Sequence, residues 1–149
     1  MSPTLMNTTR IVWAAVAVAA GASIDNDSAI IDMAGYEGVI FLTTVEDSVA
    51  TGVAAMTVEQ NSANSGSGMA SLADAVATLT CATNDDINGK VLAVDVYRPR
   101  ERYLRVNRTS ATANIAFGAV IAILYGPRKV PIDGSADGDL VSVTSPAAA

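Results

Sequence analysis

The pattern of apolar and polar positions predicts three consecutive strands late in the chain, at residues 91–97, 103–108 and 115–125. In the first two, apolar side chains fall on every second position, which is typical of strands that bury one face. Pro99 lies between them and cannot donate to a β-ladder, so we expect a turn at residues 98–101.

The third of these runs is apolar on both faces rather than on one. Because a strand that is covered on both sides shows this pattern, residues 115–125 are predicted to be the central strand of a two-layer β-structure. We therefore expect the side chains of Ile121 and Ile123 to be almost fully buried.

Three further strands are predicted earlier in the chain. Residues 39–46 place Val39, Phe41, Thr43 and Val45 on one face and Ile40, Leu42 and Thr44 on the other, and residues 52–60 carry one apolar row, Ala54, Met56 and Val58. Residues 11–20 form an uninterrupted apolar run that is too short to cross a bilayer, and we interpret it as a buried first strand that carries Trp13. A secretory signal peptide is the alternative, because Arg10 directly precedes the run.

The connections between the strands are predicted from composition. Residues 61–68 are rich in Ser, Asn and Gly and indicate a surface loop, and residues 83–89 indicate a turn. Residues 69–75 are expected to form a helical turn before a strand at residues 76–81. Cys81 is the lone cysteine, and we interpret it as a small buried hydrophobe in that strand.

Together these elements predict an all-β fold, either a β-sandwich or a barrel-like two-layer antiparallel structure with extended termini. We expect a flexible N-terminal arm at residues 1–9, one β-sandwich domain at residues 10–126 and an extended C-terminal arm at residues 127–149. A chain of 149 residues is long enough to bury a sizeable single core.

The composition removes most catalytic and metal chemistry from consideration. The chain has no histidine, which is the commonest general base and the commonest metal ligand. No nucleophile–base spacing is recognisable, so we expect a protein that is not an enzyme and that binds no cofactor and no metal. Calcium is the alternative, because Asp25, Asp27 and Asp32 could supply oxygen ligands.

Charge is distributed unevenly along the chain. The formal net charge is −6, and residues 1–89 hold one basic and ten acidic residues, whereas residues 90–149 hold eight basic and five acidic ones. The acidic balance argues against a nucleic-acid partner, and no segment indicates a membrane partner. This asymmetry suits self-association or docking on a charged scaffold, although ordinary solvated faces are the simpler explanation.

One segment has an individual signature, the arginine-rich turn within residues 95–105. Planar guanidinium groups favour bidentate pairing with carboxylates across an interface. The alternative is a hairpin whose arginines lie over aromatic rings and pair with Glu101 or Asp95 of the same subunit. The candidate interface residues are Arg98, Arg100, Glu101, Arg102, Arg105, Arg128 and Lys129.

These motifs carry a resemblance to a known family. The run DVYRPRERYLRV and the later strand ending LYGPRKVP resemble a family of small proteins encoded beside the major capsid gene in tailed bacteriophages. The upstream segments VIFLTTVEDSVATGVAAMTVEQNS and SLADAVATLT are also similar to that family's pattern. The resemblance covers most of residues 10–132, and the N-terminal apolar run and the tail match it less well.

The resemblance implies a capsid decoration (cement) protein that binds the outer surface of the phage head and stabilises it. The implied partners are the major capsid protein and further copies of this chain, with a trimer favoured and a dimer next. The alternatives are another phage component, such as a tail or neck protein, and a secreted surface-binding β module.

Overall fold

The computed structural model describes residues 4–144, and the regular structure within them is almost entirely β. One helical turn, α1 (Leu5–Thr8), precedes the strands. The strands are β1 (Thr9–Ala15), β2 (Val18–Gly21), β3 (Asp25–Asp27), β4 (Ile31–Asp32), β5 (Gly38–Ser48), β6 (Val53–Asn61), β7 (Ala70–Thr80), β8 (Val91–Tyr97), β9 (Tyr103–Ala111), β10 (Ile115–Phe117) and β11 (Val120–Tyr125).

These strands form two antiparallel sheets around one core, which confirms the predicted fold class. In the first sheet β8 lies along one side of β5, while β11 and β10 lie end to end along the other side. β1 and β2 pair with β11 and β10 and complete that sheet. In the second sheet β9 lies between β6 and the short strands β3 and β4, and β7 forms the far edge.

Alternation in four strands decides which side chains enter the core. β8 has the predicted bounds, and β5, β6 and β9 begin and end within a few residues of theirs. The buried side chains on these strands are Val39, Phe41, Thr43, Val45, Ser48, Ala54, Met56, Val58, Leu92, Val96, Leu104, Val106, Arg108 and Ser110. The period-2 pattern assigned the inner face of β6, β8 and β9, whereas β5 begins with apolar residues on both faces and its pattern did not choose between them.

The predicted strand at residues 115–125 is interrupted. It forms two strands, β10 and β11, and the side chains that face the core change from odd to even positions across residues 118–119. The prediction that Ile121 and Ile123 are almost fully buried is therefore wrong, because both lie partly exposed on the outer side of the sheet. The break forms at Gly118, where a Cβ atom would collide with the Thr44 hydroxyl.

The apolar run at residues 11–20 is likewise divided between two strands, β1 and β2. Both strands belong to the first sheet, and Ala14 is buried. Trp13 is 62% exposed, so its predicted burial is wrong. Its neighbours in the register are outward-facing residues of β11, because Trp13 pairs with Ile121.

The helical turn predicted at residues 69–75 is also wrong, since residues 70–80 form strand β7. The pairing of β7 with β6 shifts between Thr57 and Glu59, and Asp74 adopts a positive φ of 62° there. The alanine-rich segment that favoured a helix thus forms a bulge in the edge strand. The loop at residues 61–68 and the turn at residues 83–89 are confirmed.

Residues 126–144 contain no helix or strand, and they contact the start of the chain. The Ile132 amide donates to the Asn7 carbonyl at 3.0 Å, and Arg10 pairs with Asp137 at 2.8 Å. The division into arms and domain stays a prediction. Residues 1–3 and 145–149 of the predicted arms lie outside the described part of the chain.

A buried guanidinium connects the two sheets. Arg108 on β9 shares the inward face with Leu104 and Val106, and it is 0% exposed. Its Nη1 donates to the Gly118 carbonyl, at the break between β10 and β11. Its Nη2 donates to the Val16 carbonyl, between β1 and β2, and to the Asn26 side chain, each at 2.7 Å.

This arginine is held by neutral oxygens, and no ion pair joins it to a carboxylate within residues 4–144. Burial therefore lowers the pKa of Arg108. Its guanidinium carbon lies 5.8 Å from the centre of the Phe117 ring, and the buried Nε has no hydrogen-bond partner in that part of the chain. The side chain donates to two carbonyls at the interruptions, and the Gly118 carbonyl also accepts a hydrogen bond from the Thr43 hydroxyl at 3.1 Å.

We predict that Arg108→Met lowers the free energy of unfolding by about 1–3 kcal/mol, because the Val16 carbonyl and the Asn26 side-chain oxygen lose their donor and the Gly118 carbonyl keeps only the Thr43 hydroxyl. Urea denaturation followed by circular dichroism measures the effect. The matched control is Arg102→Met, which removes an exposed ion pair and should change the midpoint little. Equal loss of stability in the two variants would contradict the linking role of Arg108.

Candidate functional site

Three chain segments enclose an open cleft of about 760 Å³ at one end of the domain. They are the turn at residues 98–102, the connection at residues 33–37 and the segment at residues 126–128. We call this the arginine cleft. The turn joins β8 to β9, so it also joins the first sheet to the second.

Backbone hydrogen bonds fix the three segments to one another. The Arg98 amide donates to the Glu37 carbonyl at 2.7 Å, and the Met33 amide donates to the Arg102 carbonyl at 2.8 Å. The Arg128 amide donates to the Gly35 carbonyl at 2.9 Å. Because the main chain is tied at each corner, the cleft has a defined frame even though its side chains are exposed.

Two of the arginines already have partners in the same subunit. Arg102 binds Asp32 in a bidentate manner, with N–O distances of 2.8 and 2.9 Å, and lies over the Tyr103 ring at 5.2 Å. Arg98 lies over the Tyr97 ring at 5.1 Å and approaches the carboxylate of Glu37 at 3.7 Å. The stacking expected of an intramolecular hairpin is therefore present.

The carboxylates that pair with these arginines are Asp32 and Glu37, and not Asp95 or Glu101 as the sequence suggested. Asp95 accepts a hydrogen bond from the Tyr125 hydroxyl instead. Burial and the nearby Asp95 raise the pKa of Tyr125. Glu101 forms no ion pair within residues 4–144.

Arg100 and Arg128 are the positively charged side chains of the cleft that remain available to a partner. Both line the cleft and are exposed, and neither forms an ion pair within the described residues. Two guanidinium groups on one rim can receive a carboxylate or another oxyanion in a bidentate geometry. The arrangement therefore suits binding rather than catalysis.

The cleft brings together five of the seven candidate interface residues. Arg105 is elsewhere, on the outer face of the second sheet, where it pairs with Glu59 at 2.6 Å and with Asp27 at 3.1 Å. Arg105 follows Leu104 on β9, so its side chain lies on the opposite face of the sheet from Leu104 and the core. Lys129 is exposed beside the cleft but does not line it.

The sequence did not identify residues 33–37 as the other wall of the cleft. They precede the arginines by some sixty residues, and their composition indicates only a turn. Asp32 carried one usable signal, since it is an acidic residue next to a predicted strand, but nothing in the sequence matches it to Arg102. Sheet pairing between β4 and β9 brings the two together.

The aspartates considered for calcium have other partners. Asp25 and Asp27 both accept hydrogen bonds from the Asn107 amide, at 2.6 and 2.7 Å, whereas Asp32 binds Arg102. Within residues 4–144 no group of three or more His, Cys, Asp or Glu side chains is arranged to hold a metal ion. In the same range, no helix is long and apolar enough to cross a membrane.

Comparison with known proteins gives a fold relationship. No protein-family model and no curated protein sequence matches the chain. Among solved structures, PBSX exported protein XepA is similar over 100% of this chain and 45% of its own, with a TM-score of 0.53 and 15% identity. A structure of Bacillus endospore appendages, described as disulfide-linked pili, gives a TM-score of 0.38 and 16% identity over 84% of this chain and 96% of its own.

The similarity to XepA shows the fold alone, because the sequence identity is low. This chain spans less than half the length of XepA. The TM-score of the endospore appendage structure is too low to indicate a shared fold. Membership of a capsid decoration family therefore stays a hypothesis.

We predict that Asp32 titrates below the ordinary range of an aspartate, because the Arg102 hydrogen bonds lower its pKa. A carboxylate with a lowered pKa contributes stability above its unfolded pKa, and this contribution is lost as the pH falls through the folded value. NMR titration of the carboxyl carbon measures it. Arg102→Gln should raise the pKa of Asp32, whereas the control Arg98→Gln should leave it unchanged; equal titration in all three proteins would contradict the pairing.

Proposed function

We propose that this chain is a virion structural protein of a tailed phage, a decoration protein that binds the outer surface of the capsid. The observation that carries the proposal is the arginine cleft, which presents the unpaired Arg100 and Arg128 at one end of a rigid β domain. The specific assignment to a capsid comes from the sequence resemblance around those same residues. The similarity to an exported protein fits a location outside the cell.

In this role the cleft receives acidic side chains of the major capsid protein. Charge-assisted, bidentate hydrogen bonds give such a contact its orientation, although each one contributes modestly when exposed. Self-association multiplies the contacts, and attachment through several linked sites raises the effective affinity by about 10²–10⁴ over a single contact. No catalytic step and no cofactor is part of the proposal.

We predict that Arg100→Glu combined with Arg128→Glu weakens binding to undecorated shells of the neighbouring major capsid protein at least about tenfold. The control is Lys90→Glu, which reverses an exposed charge at the opposite end of β8 and should bind as the wild type does. Occupancy is measured by co-sedimentation at low and raised salt. Salt should weaken the wild type, because it screens exposed charges.

Equal occupancy of wild type and double variant at low salt would contradict a role for the cleft. Negative-stain imaging of the bound protein then gives its position on the particle. Density on the head surface supports decoration, whereas density confined to the tail or neck supports the other phage component.

The C-terminal segment gives a second prediction for the same assay. Removal of residues 132–149 should leave a folded domain with a nearly unchanged melting midpoint, because the described part of this segment contributes no strand. Arg128 is retained, so any weaker occupancy reports the arm itself. Equal occupancy would contradict the arm hypothesis, and failure to fold would place the segment inside the domain.

A second candidate is an exported, surface-binding β module without a capsid partner. It is favoured by the whole-chain similarity to an exported protein. Intact-mass measurement of the mature protein separates the two candidates. A mature chain that begins near Ala20 would favour the exported module. Such cleavage would remove β1, and β11 would lose a hydrogen-bonded neighbour.

A further inference from the structure

The first sheet has an outer side that is apolar across four neighbouring strands, β1, β11, β5 and β8. The register aligns their outward side chains in rows. We call this surface the apolar face; its members are Ile11, Trp13, Ile40, Leu42, Val91, Ala93, Tyr97, Ile121 and Ile123.

The outer side of the second sheet has the opposite character. There Arg105 pairs with Asp27 and Glu59, and Asn107 bonds to Asp25 and Asp27. Antiparallel sheets commonly solvate one side in this way. The apolar face therefore does not follow from the fold, and it needs a separate explanation.

Large side chains on the apolar face are open to solvent in the single chain. Trp13 is 62% exposed, Tyr97 57% and Val91 55%. The described C-terminal segment leaves these side chains exposed, and it contacts the start of the chain at Asn7 and Arg10. The run at residues 115–125 is apolar on both sides, and within residues 4–144 its inner side is buried whereas Ile121 and Ile123 on its outer side are only partly covered.

The carboxylate of Asp95 lies in these rows and already has a partner. The Tyr125 ring lies across Gly38, where any side chain would collide with it, and its hydroxyl donates to Asp95 on β8. A polar group that is hydrogen-bonded inside its own subunit can be covered at a much lower cost than an unpaired one. The face is thus prepared for contact with another apolar surface.

We propose that the apolar face is the interface with a second copy of this chain, packed sheet against sheet about a two-fold axis. Four strands spaced about 4.8 Å apart and about seven residues long cover roughly 450 Å². That is the apolar centre of a standard interface, which buries about 800 Å² on each partner. Permanent homodimers have the apolar, charge-poor centres seen here, whereas transient contacts are more polar.

A two-fold arrangement brings this face against its own copy, so an apolar surface meets an apolar surface. Two such sheets would pack about 10 Å apart, as the layers of a sandwich do. This inference names the surface through which the chain associates with itself in the proposed function. It rests on that self-association and not on capsid binding. The arginine cleft, at the end of the strands, stays free for a different partner.

Sedimentation velocity at about 1–100 µM tests the proposal on the full chain. The wild type should be a dimer, and Ile121→Lys should raise its dissociation constant at least about tenfold. Val91→Lys does the same at an exposed strand end, in case Ile121→Lys fails to fold. The matched control is Val76→Lys, since Val76 is 49% exposed on a strand of the second sheet; it should leave the dimer intact.

A wild type that is monomeric at about 100 µM would overturn the proposal, as would an assembly with an odd number of chains. Equal dissociation by Val91→Lys and Val76→Lys would overturn it too. Capsid binding separates this inference from the proposed function. A monomer that occupies shells removes only the dimer, and a dimer that does not bind them removes only the capsid role.

Discussion

The buried guanidinium of Arg108 is the interaction on which the arrangement of the two sheets depends. Arg108 extends from β9 in the middle of the second sheet to two interruptions in the first sheet. One lies near Val16, between β1 and β2, and the other at Gly118, between β10 and β11. Those interruptions let the sheet bend around the core, but each frees a backbone carbonyl from the ladder. The Arg108 guanidinium donates to both carbonyls, and the Thr43 hydroxyl adds a second donor at Gly118.

Much of the fold could be predicted from the sequence, because alternation records burial directly. The same alternation placed Arg108 inward beside Leu104 and Val106, so its burial was also readable, although charge argued against it. The interruption at Gly118 could not be predicted, since it depends on the close approach of Thr44 from another strand. For the cleft, the arginines were recognisable, whereas the wall opposite them depends on pairing between distant segments.

The structure separates two kinds of surface on one small domain. The arginine cleft lies at the end of the strands and is framed by backbone hydrogen bonds, with exposed charges whose contacts weaken in salt. The apolar face lies along the strands, and contacts made there are not screened by salt and scale with the buried area. A protein with both can associate with itself through one surface and bind a charged partner through the other.

The pairing of β1 with β11 has a consequence for synthesis of the chain. Thr9 is aligned with Tyr125, so the first strand finds its neighbour only after nearly all of the domain has been translated. Such long-range pairing is slow to form because the intervening loop must close first. The four strands that carry Trp13, Ile121 and Leu42 on one side are therefore complete only once β11 has joined β1 and β5. A nascent chain on the ribosome lacks the finished surface until residues 120–125 have been translated.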